Sequence, residues 1–103
     1  MMYAHLGQTL PKPQQKLRKD AGNWLRTLRE RRGFSQRELA KRVGITHYTL
    51  IAQLEHGRGR IPPNRYLIWA QALGVEPHEF VRGLTSFYGP GMYRVTSKRD
   101  LQA

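Results

Sequence analysis

The chain has 103 residues, room for one domain with tails and a modest core. Lys and Arg total 18 against 7 Asp and Glu, a formal net charge of +11 that points to a polyanionic partner, nucleic acid before anionic membrane. Cysteine is absent, which excludes disulfides and thiolate metal sites, and the longest apolar run, "YLIWA", is far too short to span a bilayer, so a soluble cytoplasmic protein is expected.

The first twenty residues, "MMYAHLGQTLPKPQQKLRKD", hold two prolines, four basic residues and little apolar periodicity, and residues 1–20 read as a flexible basic arm. Leu17, Ala21, Trp24 or Leu25, and Leu28 then share one helical face, with Gly22 weakening the pattern enough for the helix to begin near Asn23. "RERRG" closes this helix with cations in its last turn and Gly33 beyond.

The second helix has an explicit start. Ser35 and Glu38 make a capping box, and Phe34 and Leu39 occupy the two positions of a hydrophobic staple around it. Leu39, Ala40 and Val43 form its inward stripe, and Gly44 ends it. The third helix follows at once, with Thr46 as its expected N-cap and Ile45 and Leu50 as a second staple. At about 100° per residue, Leu50, Ile51 and Leu54 cluster inward while Tyr48, Thr49, Ala52 and His56 point the other way. Gly57 ends this helix, and "GRGRIPP" runs on as a basic loop.

A fourth helix from Asn64 or Arg65 to Leu73 carries Leu67 and Ile68 and stops at Gly74. Pro77 fits the first turn of a fifth helix to about Leu84, with Val75 and Phe80 as a third staple. Trp24 and Trp69 lie near apolar stripes and read as core. The expected organisation is an arm over 1–20, an all-α, compact five-helix domain over 21–84, and a short C-terminal tail over 85–103. The tail breaks at Gly-Pro-Gly, and the alternation of "MYRVT" over 92–96 suits a short strand.

Two short helices joined by a tight glycine-containing turn in a basic surround have a direct physical use. An α-helix fits the major groove, where base edges present a readable donor and acceptor pattern. The helix before it packs across and meets backbone phosphates. "SQRELAKRVGI" followed by "AQLEHGRGRIPP" resembles the helix-turn-helix family of phage repressor and Cro-like (XRE-type) transcription factors, over roughly residues 23–84. Gln36, Leu39, Ala40, Gly44, Leu54, Glu55, Gly57 and Pro62 sit in the family's pattern.

The resemblance implies a phosphate contact for Gln36, with Arg37 beside it, and for Arg58, Arg60, Asn64 and Arg65 in the loop and at the next helix start. It also implies base contacts from the exposed start of the third helix. Counting back from Glu55 gives Tyr48, Thr49 and Gln53, whereas counting forward from Gly44 gives His47, Tyr48 and Ala52. One more residue separates that Gly from that Glu than in the common pattern, so the turn or the helix start absorbs it. Glu55 itself reads as structural, paired with a backbone N–H or an arginine. The family acts as dimers on paired half-sites in double-stranded DNA, which implies a homodimeric, nucleoid-associated regulator. The apolar tail supplies Phe87, Tyr88, Met92, Tyr93 and Val95 as an expected dimer interface.

Enzymatic readings find little support. "HEFVR" starts like a zinc-protease helix but has Arg82 where the second His belongs, and no pair of the four His stands in ligand spacing. No Gly-rich phosphate loop with its Lys occurs. The expectation is therefore no catalysis, no metal and no cofactor. The same fold also serves as the DNA-binding antitoxin of toxin–antitoxin pairs, so a protein partner, either a toxin or RNA polymerase, is the alternative to DNA acting alone.

Overall fold

The computed structural model describes residues 10–89, which form five α-helices and, among these residues, no strand. Helix α1 spans Lys12–Arg31, α2 Gln36–Arg42, α3 Thr49–Glu55, α4 Tyr66–Leu73 after a 3₁₀ turn at Pro63–Arg65, and α5 Pro77–Tyr88. The all-α, five-helix expectation holds.

Helix α1 starts well before its expected origin, so residues 12–20 of the expected arm are helical. The prolines that argued for an arm flank this start: Pro11 precedes the helix and Pro13 sits in its first turn, where a missing N–H has no intrahelical partner to lose. Gly22 does not interrupt the helix either. A Cβ there would overlap the carbonyl oxygens of Glu55 and Leu54, so the glycine is what lets α1 lie backbone to backbone on the end of α3.

The capping box of α2 forms as expected. Ser35 Oγ accepts from Glu38 N–H at 3.1 Å, and Ser35 N–H donates to Glu38 Oε1 at 2.9 Å. Leu39 is fully buried, and half-buried Phe34 packs against the same core. Gly44 takes φ 73° to end the helix, a conformation costly for any residue with a Cβ.

Thr46 is not the N-cap of α3. The helix begins after Tyr48, with Leu50 N–H donating to His47 O at 3.0 Å and Ile51 N–H to Tyr48 O at 2.9 Å, and no side chain caps it. The turn between α2 and α3 therefore extends to Tyr48. Leu50 is also only half-buried, because the inward arc of α3 is Ile51, Leu54 and Glu55, which leaves Leu50 at its edge.

The core gathers all five helices around Leu25, Leu39, Ile51, Tyr66, Trp69 and Phe80. Trp69 is fully buried, while Trp24 is half-buried and stacks on Phe80 with ring centroids 5.5 Å apart. Glu76 caps α5 by accepting from His78 and Glu79 N–H groups, and Gly74 in the left-handed region closes α4. Helix α5 runs four residues past Leu84 because Phe87 and Tyr88 find partners on their own domain. The Phe87 ring lies 5.9 Å from that of Trp24, and Tyr88 Oη accepts from Ile61 N–H at 3.1 Å. No helix among the described residues is long and apolar enough to cross a membrane.

Candidate nucleic-acid interface

The outward side of α3 is set by what the helix buries. With Ile51, Leu54 and Glu55 facing in, Thr49 is exposed, and Ala52 and Gln53 are half-buried beside it. His47 and Tyr48 stand exposed in the turn just before the helix. His56, exposed at the far end, places Nδ1 2.8 Å from Ala52 O, the carbonyl that also accepts its own backbone N–H at 3.0 Å. The residues of both register counts thus occupy one surface, His47 and Tyr48 from the turn and Thr49, Ala52 and Gln53 from the helix.

Tyr48 does not project freely. The Arg37 guanidinium lies 4.2 Å from its ring centroid, a cation–π contact from the exposed face of α2 to the mouth of α3. Arg37, expected at phosphate, and Tyr48, expected at bases, are therefore neighbours.

Behind this surface lies a buried ion pair. Arg29 of α1 donates to both Glu55 oxygens, Nε to Oε2 at 2.6 Å and Nη2 to Oε1 at 3.1 Å, and its Nη1 donates to Phe34 O at 2.7 Å. Both side chains are at least nine-tenths buried. The hydrogen bond to Glu55 raises the Arg29 pKa above its usual value. Gln36 Nε2 donates to Glu55 Oε1 at 3.1 Å, which fixes one amide hydrogen inside and leaves the second for another acceptor. Glu55 is structural, as read from the sequence. Its partner Arg29 follows Leu25 by four residues on the inward face of α1, a spacing that marks it as inward-facing without naming what it pairs with.

The basic loop is braced rather than loose. Arg58 and Asn64 are exposed, while Arg60 and Arg65 are half-buried. Arg65 Nη2 donates to Val43 O at 2.7 Å, tying the start of α4 to the end of α2 with one of its five donors. Tyr88 holds Ile61, and the Arg18 guanidinium rests 5.2 Å from the Tyr88 ring centroid. Burial pushes the Tyr88 phenol up to about 12. Neither Arg18 nor this brace was legible in the sequence.

Phe87 and Tyr88, expected at a dimer interface, are engaged within the domain. Met92, Tyr93, Val95 and the expected strand over 92–96 lie outside the described residues. Among the described residues, no group of three or more His, Asp or Glu side chains is placed to hold a metal ion.

A family model described as a helix-turn-helix domain matches residues 20–82, from the middle of α1 into α5. No curated protein matches the chain.

Proposed function

Because the chain belongs to the helix-turn-helix domain family, a DNA-binding fold, we propose that it is a sequence-specific regulator of transcription that reads double-stranded DNA in the major groove with α3. The observation that carries this reading is the arrangement around α3. Its outward residues and the preceding turn offer hydroxyl, imidazole and amide groups, and its inward residues lock it to α1 through Arg29 and Glu55. A helix held this firmly by its back presents its front in one orientation, which base reading requires.

The roles follow from chemistry. Tyr48, Thr49 and Gln53 carry the donors and acceptors for base edges, with His47 and Ala52 at the margins of the same surface. Arg37, Arg58 and Asn64 meet phosphates directly. Gln36, Arg60 and Arg65 join them from the start of α2 and from the loop before α4. Phosphate contacts fix register, and base contacts carry the sequence information.

One short recognition helix covers too few base pairs to define a genomic site against competing sequences. A homodimer on a two-fold site, with half-sites about one helical turn apart, supplies the missing selectivity. We place its contacts on the tail at Met92, Tyr93 and Val95. Mapping the genomic fragments bound by the protein tests the reading. A short two-fold motif shared by the fragments is the expected result, and an even scatter without a motif would overturn sequence-specific regulation.

A further inference from the structure

The corner where α1 passes the loop after α3 is built from cations. Gly57 approaches α1 so closely that an added Cβ would lie 2.8 Å from Lys19 N and 2.9 Å from the Arg18 carbonyl carbon. The two backbones therefore touch. On the α1 side, Arg18 lies against the Tyr88 ring and Lys19 is exposed. On the loop side, Arg58 is exposed and Arg60 is half-buried.

This corner is held in place from behind. Tyr88 Oη accepts from Ile61 N–H, so the ring that supports Arg18 is fastened to the residue next to Arg60. Burial lowers the Arg18 pKa from its usual value, the Tyr88 phenol opposes that, and the Arg60 charge adds to it. Two guanidinium groups close enough to repel are both stabilised by an anion placed between them. Lys16, one turn earlier, pairs with Asp20 at 3.2 Å and stands apart from the cluster.

We propose that Arg18 and Lys19 join Arg58 and Arg60 in holding the phosphate backbone of duplex DNA, so that α1 carries a contact outside the helix-turn-helix unit. The inference rests on the DNA-binding reading above. It commits to duplex backbone because the corner is continuous with the loop that follows α3, and a row of cations matches a row of phosphates. Stacking on Tyr88 restricts Arg18 before DNA arrives, so less side-chain freedom is lost on binding.

The test compares Lys19→Gln, Arg18→Gln and a charge-matched control, Arg82→Gln on the exposed face of α5, by affinity for one random-sequence duplex across a range of salt. The unaltered chain is measured first, and its failure to bind duplex would strike the DNA-binding reading itself. Given binding, Lys19→Gln and Arg18→Gln each lower the slope of log affinity against log salt by about one, while Arg82→Gln leaves it unchanged. Lys19 is exposed, so its variant keeps the thermal midpoint of the parent and decides the matter even where Arg18→Gln lowers stability. A Lys19→Gln slope equal to that of Arg82→Gln overturns the proposal.

Discussion

Arg37 stacks on Tyr48 at 4.2 Å, joining the exposed face of α2 to the mouth of α3. Such a contact stabilises an exposed ring by about 0.5–1 kcal/mol, enough to bias the orientation of a side chain that no helix holds. Tyr48→Ala is expected to cost about 1–3 kcal/mol on the cognate site and to lower the ratio of specific to random affinity. Arg58→Ala weakens all sequences about equally. Titrating both variants against cognate and random duplexes separates the two, and an unchanged ratio for Tyr48→Ala would remove that residue from the reading surface.

The ion pair behind α3 makes a stability prediction. Glu55→Ala leaves the Arg29 guanidinium buried without its carboxylate, which costs about 3–5 kcal/mol. Replacing both residues by apolar ones of similar size, Arg29→Met with Glu55→Leu, costs less than the single change. Urea unfolding of the single and double variants checks this, and a double variant less stable than Glu55→Ala contradicts it.

Gly22→Ala sets two effects against each other. Helix propensity favours alanine by about 1 kcal/mol, but its Cβ would overlap the carbonyls of Leu54 and Glu55, which are backbone and cannot swing aside. Overpacking of this kind costs about 1–3 kcal/mol, so the substitution is expected to destabilise. A thermal midpoint raised by Gly22→Ala would mean that α1 does not lie on α3 as described.

Two helix caps predict an acid limb. Glu38 is held below the ordinary carboxylate range by the Ser35 backbone N–H and then by the Ser35 side chain. The His78 backbone N–H does the same for Glu76, opposed by burial and helped by the Glu79 N–H and the His78 ring. A carboxylate with a depressed folded pKa contributes stability above its unfolded value, about 4.3 for Glu, and loses it as pH falls through the folded value. Glu38→Gln and Glu76→Gln are therefore expected to lower the thermal midpoint at neutral pH and to converge on the parent in acid. Parallel curves for parent and variants would contradict this.

What was legible in the sequence was local. The capping box needs only Ser35, Glu38 and the staple around them, and Gly44 and Gly74 announce their own helix ends. What was not legible depends on partners far apart in the chain. Glu55 needs a partner, yet nothing local selects Arg29, 26 residues away. Phe87 and Tyr88 looked free because Trp24 and Ile61, which engage them, lie in other elements. The prolines at 11 and 13 suggest an arm, but they fit the start of a helix equally well, and α1 begins there and packs on α3. Tyr48, common to both register counts, is exposed and stands in the turn rather than in the helix.

The account turns on duplex DNA meeting α3 and the cations around it, and salt tests this most directly. Arg37, Arg58, Arg60 and Arg65 alone imply a slope of log affinity against log salt of about −3 to −4 per protomer. Random and cognate duplexes should share most of that slope and differ in affinity, with the cognate duplex bound more tightly at every salt concentration. A flat salt response, or equal affinity for the mapped site and a scrambled one, would contradict the account.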